Sequence, residues 1–544
     1  MLTSIFLAAL AAFAAAYFLL GRGRLTALFD LKDGTPTPAV TQGDGIDYVA
    51  TRPAVLFGHH FSSIAGAGPI VGPVIVAVAF GWLPAVLWVI IGSIFIGGVH
   101  DLGAIAASIR HQGKSIAEIA NRYITPLSYR LFLLFTWLTL VYVLVVFANL
   151  TSTTFVQSGA VATSSIIYIA LAVAFGFTLY RFKAGLLPVS LVFVPLVFVG
   201  IWAGVEFPLQ NIPILFGGAE NTWNIILIAY VFLASTLPVW VLLQPRDYLS
   251  SFLLYSSVGV GVIGLLSGKF GVHYPAFTGF HSDYLGPLLP VVFITIACGA
   301  VSGFHALVAS GTTSKQLGKQ SDAVVIGYGG MLTEGVVAMI ALATVMVLLP
   351  GSAEAKQQPM AVYAEGLSRF AGLLGVPPEW GRTFGLLALS SFILTTLDTA
   401  TRLGRYIFQE FTGLTHPRHR WTATLATLVL PAVFLFITLK GPDGRPMPAW
   451  KAVWPLFGTT NQLLAALVLL VLTVWLLRMG KNFWWTLLPM VFMLVMTTWS
   501  LVQLILIYKF SLIGIITIFL FVLTTLILVE TGRSLLRRGD APPA

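Results

Sequence analysis

Two apolar stretches of this 544-residue chain are interrupted by glycine, proline and hydroxyl residues. Residues 57–73 read FGHHFSSIAGAGPIVGP, and residues 229–246 read AYVFLASTLPVWVLLQPR. In a bilayer an unpaired backbone amide is costly, so such an interruption persists only where something other than lipid satisfies the amides. Paired interruptions in two halves of a chain are typical of the substrate site of a secondary transporter.

The first break is a candidate anion site. Gly66, Ala67 and Gly68 would expose amide N–H groups there, and Pro69 is suited to begin the next helical half. A helix N-terminus with free amides binds anions, and the expected anion is a substrate carboxylate. The alternative is that small residues here only allow close helix packing. The predicted substrate contacts are Ser62, Ser63, Gly66, Ala67, Gly68, Ser235 and Thr236.

Histidines beside the first break are candidate proton carriers. His59 and His60 precede the break by about one helical turn. Histidine titrates near neutral pH, so an intramembrane histidine can exchange protons with a transported solute. Adjacent helical residues point in different directions, so at most one of the two is expected to face the site. A histidine that only hydrogen-bonds a carbonyl at the helix end is the alternative.

A polar stripe is predicted on one helix over 286–309, where Thr295, Cys298, Ser302 and His305 recur every three or four residues. Such a stripe must face protein or water, and it would bring His305 towards the histidines of the first break. Clustered histidines also suit a transition metal, but ligand spacing is lacking, so no metal or other cofactor is predicted. Thr295 and Ser302 are candidate ligands for Na⁺, the alternative coupling ion.

Carboxylates within apolar segments are few. Glu334 lies near the middle of 322–349 with no basic residue within a turn or two, which makes it a candidate proton carrier. Asp101 follows His100, and the pair is either a structural hydrogen bond or part of a proton relay. The predicted proton-coupling residues are His59, His60, His305, Glu334 and Asp101.

Two further carboxylates are predicted to form local ion pairs. Asp398 lies four residues before Arg402, a spacing that favours a pair within one helix. A polar patch of threonines around Asp398 can also sit beside a permeation path. Asp247 adjoins Arg246, which predicts an interfacial ion pair or a loop cap.

The composition is that of an integral membrane protein. Hydrophobic residues make up 57% of the chain, charged residues 9%, and the mean hydropathy is +0.91. Apolar stretches of about 18 or more residues predict fifteen membrane segments. They are 2–20, 54–80, 83–108, 128–150, 163–181, 186–204, 222–243, 248–267, 286–309, 322–349, 381–402, 421–439, 453–477, 484–506 and 511–530.

Charge placement predicts the orientation. Most of the 30 Lys and Arg residues lie on one side if the N-terminus is outside and the C-terminus is cytoplasmic. The net charge of +10 is then a topology signal, and because the basic residues are scattered over many loops, no nucleic-acid partner is predicted. Arg22 and Arg24 follow the first apolar run instead of preceding it, which favours a retained helix over a signal peptide.

Three motifs carry a family resemblance. They are RPAVLFGHHFSSIAGAGPIVGP at Arg52–Pro73, SGTTSKQL at Ser310–Leu317 and WPLFGTTNQLLAAL at Trp454–Leu467. Together they resemble the carbon starvation protein A family of bacterial transporters. The resemblance implies uptake of peptides or pyruvate, proton coupling, and induction when carbon runs out. It also implies an all-α core of five plus five inverted-repeat helices, the LeuT or amino-acid/polyamine/organocation type, in the bacterial cytoplasmic membrane.

The segment order is compatible with that architecture. Five segments within 54–204 form one predicted repeat, and five within 205–402 form a second that starts from the opposite side. Residues 1–53 supply a first helix and a cytoplasmic loop, and residues 403–544 supply accessory helices and a basic tail. The predicted partners are a small solute and membrane lipid, and the oligomeric state is left open.

Other functional classes fit the residues less well. An enzyme is not predicted, because neither an HExxH nor a GxSxG motif is present. A channel or a nutrient sensor that keeps a transporter core stays open as an alternative, although no large soluble signalling domain is predicted.

Overall fold

Helices form almost all of the regular structure in the computed structural model. It describes residues 1–44, 48–210, 214–215, 217–238, 241–283, 285–414, 416–439 and 445–536. The first ten helices are α1 (Leu2–Leu28), α2 (Pro53–Ile64), α3 (Gly68–Phe80), α4 (Trp82–Arg110), α5 (Ile116–Tyr123), α6 (Pro126–Gln157), α7 (Gly159–Arg181), α8 (Leu186–Glu206), α9 (Ala219–Thr236) and α10 (Leu243–Leu266).

The second half continues the same pattern after a small antiparallel pair of strands, β1 (His281–Ser282) and β2 (Gly286–Pro287). Its helices are α11 (Leu288–Thr295), α12 (Gly303–Gly311), α13 (Val324–Met346), α14 (Pro359–Gly372), α15 (Pro378–Thr412), α16 (Arg420–Phe436), α17 (Ala449–Arg478), α18 (Trp484–Tyr508) and α19 (Leu512–Leu536). Single turns lie at Pro38–Thr41, Thr313–Lys315, Glu354–Lys356 and Pro417–His419.

Within the described residues, eleven helices are long and apolar enough to cross a membrane, or twelve if α2 and α3 count as one bent span. The prediction of fifteen spans is not confirmed by this criterion. The other three predicted segments coincide with α9, with the interrupted pair α11 and α12, and with α16, whose 17 residues make it short for a span. The central helices α15 and α17 are almost wholly covered by protein, and α6 is largely covered.

The first interrupted span consists of α2 and α3, which are bent by 46°. α2 ends where Ala65 leaves helical geometry, with φ −76° and ψ 66°, and α3 begins with Gly68 and Pro69. Proline suits a first helical turn because it has no amide N–H to leave unpaired. The predicted interruption of this span is therefore confirmed.

The second interrupted span consists of α11 and α12. α11 ends at Thr295, residues 296–302 leave helical geometry, and α12 begins at Gly303. The prediction of one continuous helix over 286–309 is wrong. The physical reason is that side chains of α4 and α17 supply hydrogen bonds to the open backbone, so this stretch does not need an intrahelical ladder.

The two breaks lie against each other. A side chain on Gly68 would overlap that of Cys298, and one on Gly72 would overlap the backbone at the end of α11. A Cβ on Gly299 would lie 3.3 Å from the Cα of Pro69. Small residues thus let the two interrupted spans approach closely, which is the packing role that the sequence left as the alternative at Gly68.

The interruption predicted around Ser235, Thr236 and Pro238 separates two helices. α9 continues to Thr236 and α10 begins at Leu243, with residues 239 and 240 outside the described part of the chain. The hydroxyl groups of Ser235 and Thr236 both donate to the carbonyl of Phe232 within α9, at 3.4 and 3.0 Å. This place is therefore the end of a helix and does not resemble the break between α2 and α3.

Two arginines of α15 cap that helix end. Arg402 donates to the carbonyls of Ala234 and Leu237 at 3.1 Å, and Arg405 donates to the carbonyl of Ser235 at 2.8 Å. Cations are favoured at a helix C-terminus, where free carbonyls concentrate negative potential. The electrostatics of such an end do not favour an anion, and Ser235 and Thr236 as substrate contacts stay a prediction.

We expect Gly68→Ala to lower the thermal unfolding temperature of the purified protein in detergent. The added methyl group must displace Cys298, and overpacking of this kind costs about 1–3 kcal/mol. Gly259→Ala in α10 is the matched control, because nothing lies within 4 Å of its added Cβ. Cys298→Gly in the Gly68→Ala background should restore the unfolding temperature. Equal unfolding temperatures for Gly68→Ala and the wild type would contradict the close contact.

Candidate functional site

A chain of buried ionisable side chains lies beside the second break. Nδ1 of His305 is 2.9 Å from Oδ2 of Asp101, and Nε2 of His305 is 3.2 Å from Oε2 of Glu334. Oδ1 of Asp101 is 2.7 Å from Nδ1 of His100. All four side chains are inaccessible to solvent. The structure thus brings together three of the five predicted proton-coupling residues, and Asp101 contacts both histidines.

Three helices position these buried ionisable side chains. Asp101 lies on α4 just after a π-helical turn at Ser93–Gly97, and such turns are frequent at functional sites. Gly97 packs against the backbone of the second break, where a side chain would not fit. Because α12 starts at Gly303, His305 lies in its first turn, between α4 and the Glu334 side chain of α13. The break therefore sets the place of the histidine.

Side chains from α4 and α17 satisfy the open backbone of the second break. The polar run at 458–462 bonds across helices. Asn461 accepts from the amide of Phe304 at 3.0 Å and exchanges hydrogen bonds with the hydroxyl of Ser302. Three backbone carbonyls also accept hydrogen bonds from side chains. The carbonyl of Phe293 accepts from Gln462 at 2.9 Å, that of Ile296 from Trp88 at 3.1 Å, and that of Gly299 from Ser93 at 3.1 Å.

The buried chain can hold and release a proton. With both carboxylates ionised and His305 doubly protonated, Asp101, His305 and Glu334 carry one net negative charge without access to water, which is unfavourable. One more proton makes the group neutral. Both carboxylate oxygens of Glu334 lack a well-formed hydrogen bond among the described residues, so this side chain has free positions for that proton. No set of three His, Cys, Asp or Glu in the described residues is arranged to hold a metal ion.

The first break has two amides without partners. The amide of Gly66 donates to the carbonyl of Ile64 at 2.8 Å, so one of the three predicted amides is used within the chain. The amides of Ala67 and Gly68 meet no acceptor in the part of the chain that the structure describes. All three residues are buried. The break therefore keeps two donors for a ligand.

The hydroxyl groups predicted to bind substrate or sodium are engaged elsewhere or separated. Ser62 and Ser63 donate to carbonyls four residues earlier in α2, at 2.7 and 2.8 Å. Ser302 is bonded to Asn461, as described above, and Thr295 lies at the other end of the second break. A sodium site at Thr295 and Ser302 stays a prediction.

His59 and His60 point to different sides of α2, as expected for adjacent helical residues. Nδ1 of His60 is 2.8 Å from the hydroxyl of Thr313. Nδ1 of His59 is 3.7 Å from Oδ2 of Asp247, and its side chain is 23% exposed. Among the described residues neither histidine hydrogen-bonds to His305, whose ring nitrogens lie 2.9 Å from Asp101 and 3.2 Å from Glu334.

A second buried charge cluster was missed by sequence reasoning. Arg246, fully inaccessible to solvent, donates to Asp398, to the hydroxyl of Tyr230 at 2.6 Å and to Asp247 at 3.2 Å. The predicted pair of Asp398 with Arg402 is wrong, because Arg402 caps α9 and Asp398 faces α10. Arg246 and Asp247 do pair, but deep in the protein instead of at an interface. Arg246 and Asp398 are 152 positions apart in the sequence, and no local sequence pattern indicates their contact.

A cavity of about 40 Å³ adjoins the first break on the α3 side. Both polar and apolar side chains line it, among them a threonine pair and a glutamine at the end of α6. The lining residues are Val71, Leu150, Thr153, Thr154, Gln157, Gln358, Pro359, Met360, Ala361, Leu386 and Trp450.

Proteins of similar sequence are transporters by name. The peptide transporter CstA of Escherichia coli strain K12 is 32% identical over 529 residues, covering 85% of this chain and 75% of that protein. The pyruvate/proton symporter BtsT of the same organism is 32% identical over 551 residues, covering 86% and 76%. The peptide transporter CstA of Bacillus subtilis strain 168 is 33% identical, covering 86% and 84%.

A solved structure shares the fold. The crystal structure of the Eremococcus coleocola manganese transporter in complex with an aromatic bis-isothiourea substituted compound superimposes with a TM-score of 0.51. The alignment covers 91% of this chain and 99% of that chain at 15% identity. At this identity the likeness concerns the fold alone.

A family model extends the match to most of the sequence. The model of carbon starvation protein CstA matches residues 2–366 and 351–500. Together with the apolar helices and the transporter relatives, this identifies a multi-pass protein of a bacterial membrane. The chain belongs to the carbon starvation protein CstA family.

Proposed function

We propose that this chain is a secondary active transporter that imports pyruvate or short peptides by proton symport in response to carbon starvation. Relatives at about a third identity bear the names peptide transporter and pyruvate/proton symporter, which supports both substrate classes. The proposed location is the cytoplasmic membrane, with the N-terminus outside. The proposed core is an inverted repeat, supported by the contact between two interrupted spans.

The observation that carries proton coupling is the buried chain Asp101, His305 and Glu334. It joins α12, which is half of an interrupted span, to α4 and α13. A change in the proton content of this chain alters the attraction that holds α12 in place, because one more or one fewer charge in a dry site is worth far more than in water. Proton binding is thereby linked to movement of the span.

The amides of Ala67 and Gly68 are the proposed contacts for the substrate at the first break. Their free N–H groups suit a carboxylate, and both pyruvate and peptides carry one. A sodium-coupled mechanism is the alternative, with Thr295 and Ser302 as ligands. The carbonyls of Phe293, Ile296 and Gly299 already accept hydrogen bonds, which favours the proton mechanism.

Glu334→Gln should abolish uphill pyruvate uptake driven by a pH gradient while sparing substrate exchange. The amide cannot carry the proton, but exchange does not require its release in every cycle. The measurement is uptake into proteoliposomes without Na⁺, in parallel with counterflow of labelled pyruvate. Glu379→Gln is the matched control, because Glu379 is exposed at the start of α15.

Two outcomes would contradict proton coupling through Asp101, His305 and Glu334. One is full uphill uptake by Glu334→Gln and by His305→Ala. The other is an absolute need of the wild type for Na⁺, which would favour the sodium alternative. Absence of any gradient-driven uptake by the wild type would favour a channel or a sensor.

The substrate class predicts a second result. Pyruvate or a short peptide should raise the thermal unfolding temperature of the purified protein, since a ligand that prefers the folded state stabilises it by mass action. Methyl pyruvate and an amidated peptide should not, because they lack the carboxylate. The measurement is thermal unfolding at matched ligand concentrations. Equal stabilisation by the neutral analogues would remove the reason for proposing an anionic substrate.

A further inference from the structure

The charge cluster around Arg246 joins four helices at one end of the first interrupted span. Arg246 and Asp247 lie on α10, Tyr230 on α9 and Asp398 on α15. His59 of α2 reaches the cluster at Asp247. The carbonyl of Arg246 also accepts from the hydroxyl of Tyr168 at 2.6 Å, which fixes the start of α10. Contacts from several helices thus hold the side chains of this cluster in place.

The cluster has unused capacity for hydrogen bonds. Nε of Arg246, Oδ2 of Asp247 and Oδ1 of Asp398 are buried and meet no hydrogen-bond partner among the described residues. A guanidinium has five donors in a planar fork that matches a carboxylate, so Arg246 can hold another acceptor. A buried guanidinium N–H without an acceptor costs free energy. An ion pair with a purely structural role is therefore not expected to leave one unused.

The cluster, the first break and the cavity all border α15, although Thr396 and Asp398 point to different sides of that helix. Along α15, Leu386 lines the cavity, and the hydroxyl of Thr396 would lie 2.8 Å from a Cβ on Gly66. Asp398 follows two residues later. At a rise of about 1.5 Å per residue, the stretch of α15 from Leu386 to Asp398 is about 18 Å long. The interrupted span α2 and α3 follows the same stretch in the opposite direction, through Val71, Gly66 and His59.

We propose that Arg246 binds the substrate carboxylate at a second position, separate from the amides of Ala67 and Gly68, and that the carboxylate displaces Asp247 from the guanidinium there. This inference rests on the proposed uptake of a carboxylate. Asp398 and Tyr230 hold the guanidinium on one side, while Asp247, at 3.2 Å, is the looser partner. The substrate oxygens take the donors of Nη2 and Nε, a pair that points in one direction. The displaced carboxylate of Asp247 moves towards His59, its partly exposed neighbour.

The exchange is balanced in charge. Arg246, Asp247 and Asp398 carry one net negative charge when all are ionised. An entering carboxylate adds a second, which a dry site does not tolerate without a cation. A proton that enters with the carboxylate restores the balance, and His59, whose Nδ1 lies 3.7 Å from Oδ2 of Asp247 and whose side chain is 23% exposed, is the neighbour of the cluster that water reaches. The other charged or titratable groups on the elements that pack against this part of α2 are Arg246 and Tyr255 on α10 and Asp398 on α15, while His60 of α2 itself contacts Thr313.

Two variants test the assignment by equilibrium binding to the full-length purified protein. Arg246→Gln with Asp398→Asn removes the ion pair without changing the net charge, and it should weaken pyruvate binding at least about tenfold. Asp247→Asn should tighten pyruvate binding, because it removes the group that competes for the guanidinium. Arg402→Gln is the matched control, since among the described residues this arginine of α15 binds backbone carbonyls and no carboxylate.

The measurement is isothermal titration with pyruvate and with dialanine, with methyl pyruvate as the neutral probe. Unfolding temperatures of the variants show whether they are folded, and Asp247→Asn keeps Arg246 paired with Asp398. Unchanged affinity in the double variant, or no gain in Asp247→Asn, would overturn the assignment. That result can coexist with loss of uphill uptake in Glu334→Gln, which leaves the proposed function standing. A wild type that binds neither probe would overturn both.

Discussion

The open backbone of the second break must find its hydrogen bonds away from its own helix, and much of the structure follows from this need. In a dry interior each unpaired peptide group is expensive, so α4 and α17 have to present donors at fixed positions. Trp88, Ser93, Asn461 and Gln462 do so. Their helices are thereby held against the break, and α12 can begin where His305 meets two carboxylates.

The two buried charge groups lie on different sides of α2. His60 lies against Thr313 and against Gly330 of α13, the helix that carries Glu334, while His59 faces Asp247. One short helix therefore separates a chain that suits a proton from a cluster that suits a carboxylate. In the proposed function, the proton and the carboxylate would influence each other through the position of this helix, without direct contact between them.

The sequence could predict features that depend on neighbours along the chain. The apolar segments, the break before Pro69 and the isolated Glu334 all follow from composition and local backbone preference. Features that depend on distant residues were not accessible. The spacing of Asp398 and Arg402 fits a pair within a helix, but the buried Arg246 competes for Asp398, and Arg402 is needed by the carbonyls of α9. No local pattern reports that competition.

The same limit explains the misassigned second interruption. Ser235, Thr236 and Pro238 look like a break because proline and hydroxyl residues end helices wherever they occur. The stretch 296–302 has no proline, and its opening depends on side chains of α4 and α17 that are far away in sequence. The periodic polar residues Thr295, Cys298, Ser302 and His305 therefore predict one helix face, although they are distributed over the end of α11, the non-helical stretch 296–302 and the start of α12.

The one cysteine of the chain gives the molecule a natural reporter. Cys298 is a free thiol, buried, and it lies where Gly68 leaves room for it. A maleimide cannot reach the sulfur while the two interrupted spans touch, and it can do so once they separate. Under the proposed transport function, the rate at which the unmodified protein is alkylated, with and without solute or a pH gradient, would therefore measure how often the two spans separate, without introducing any label site.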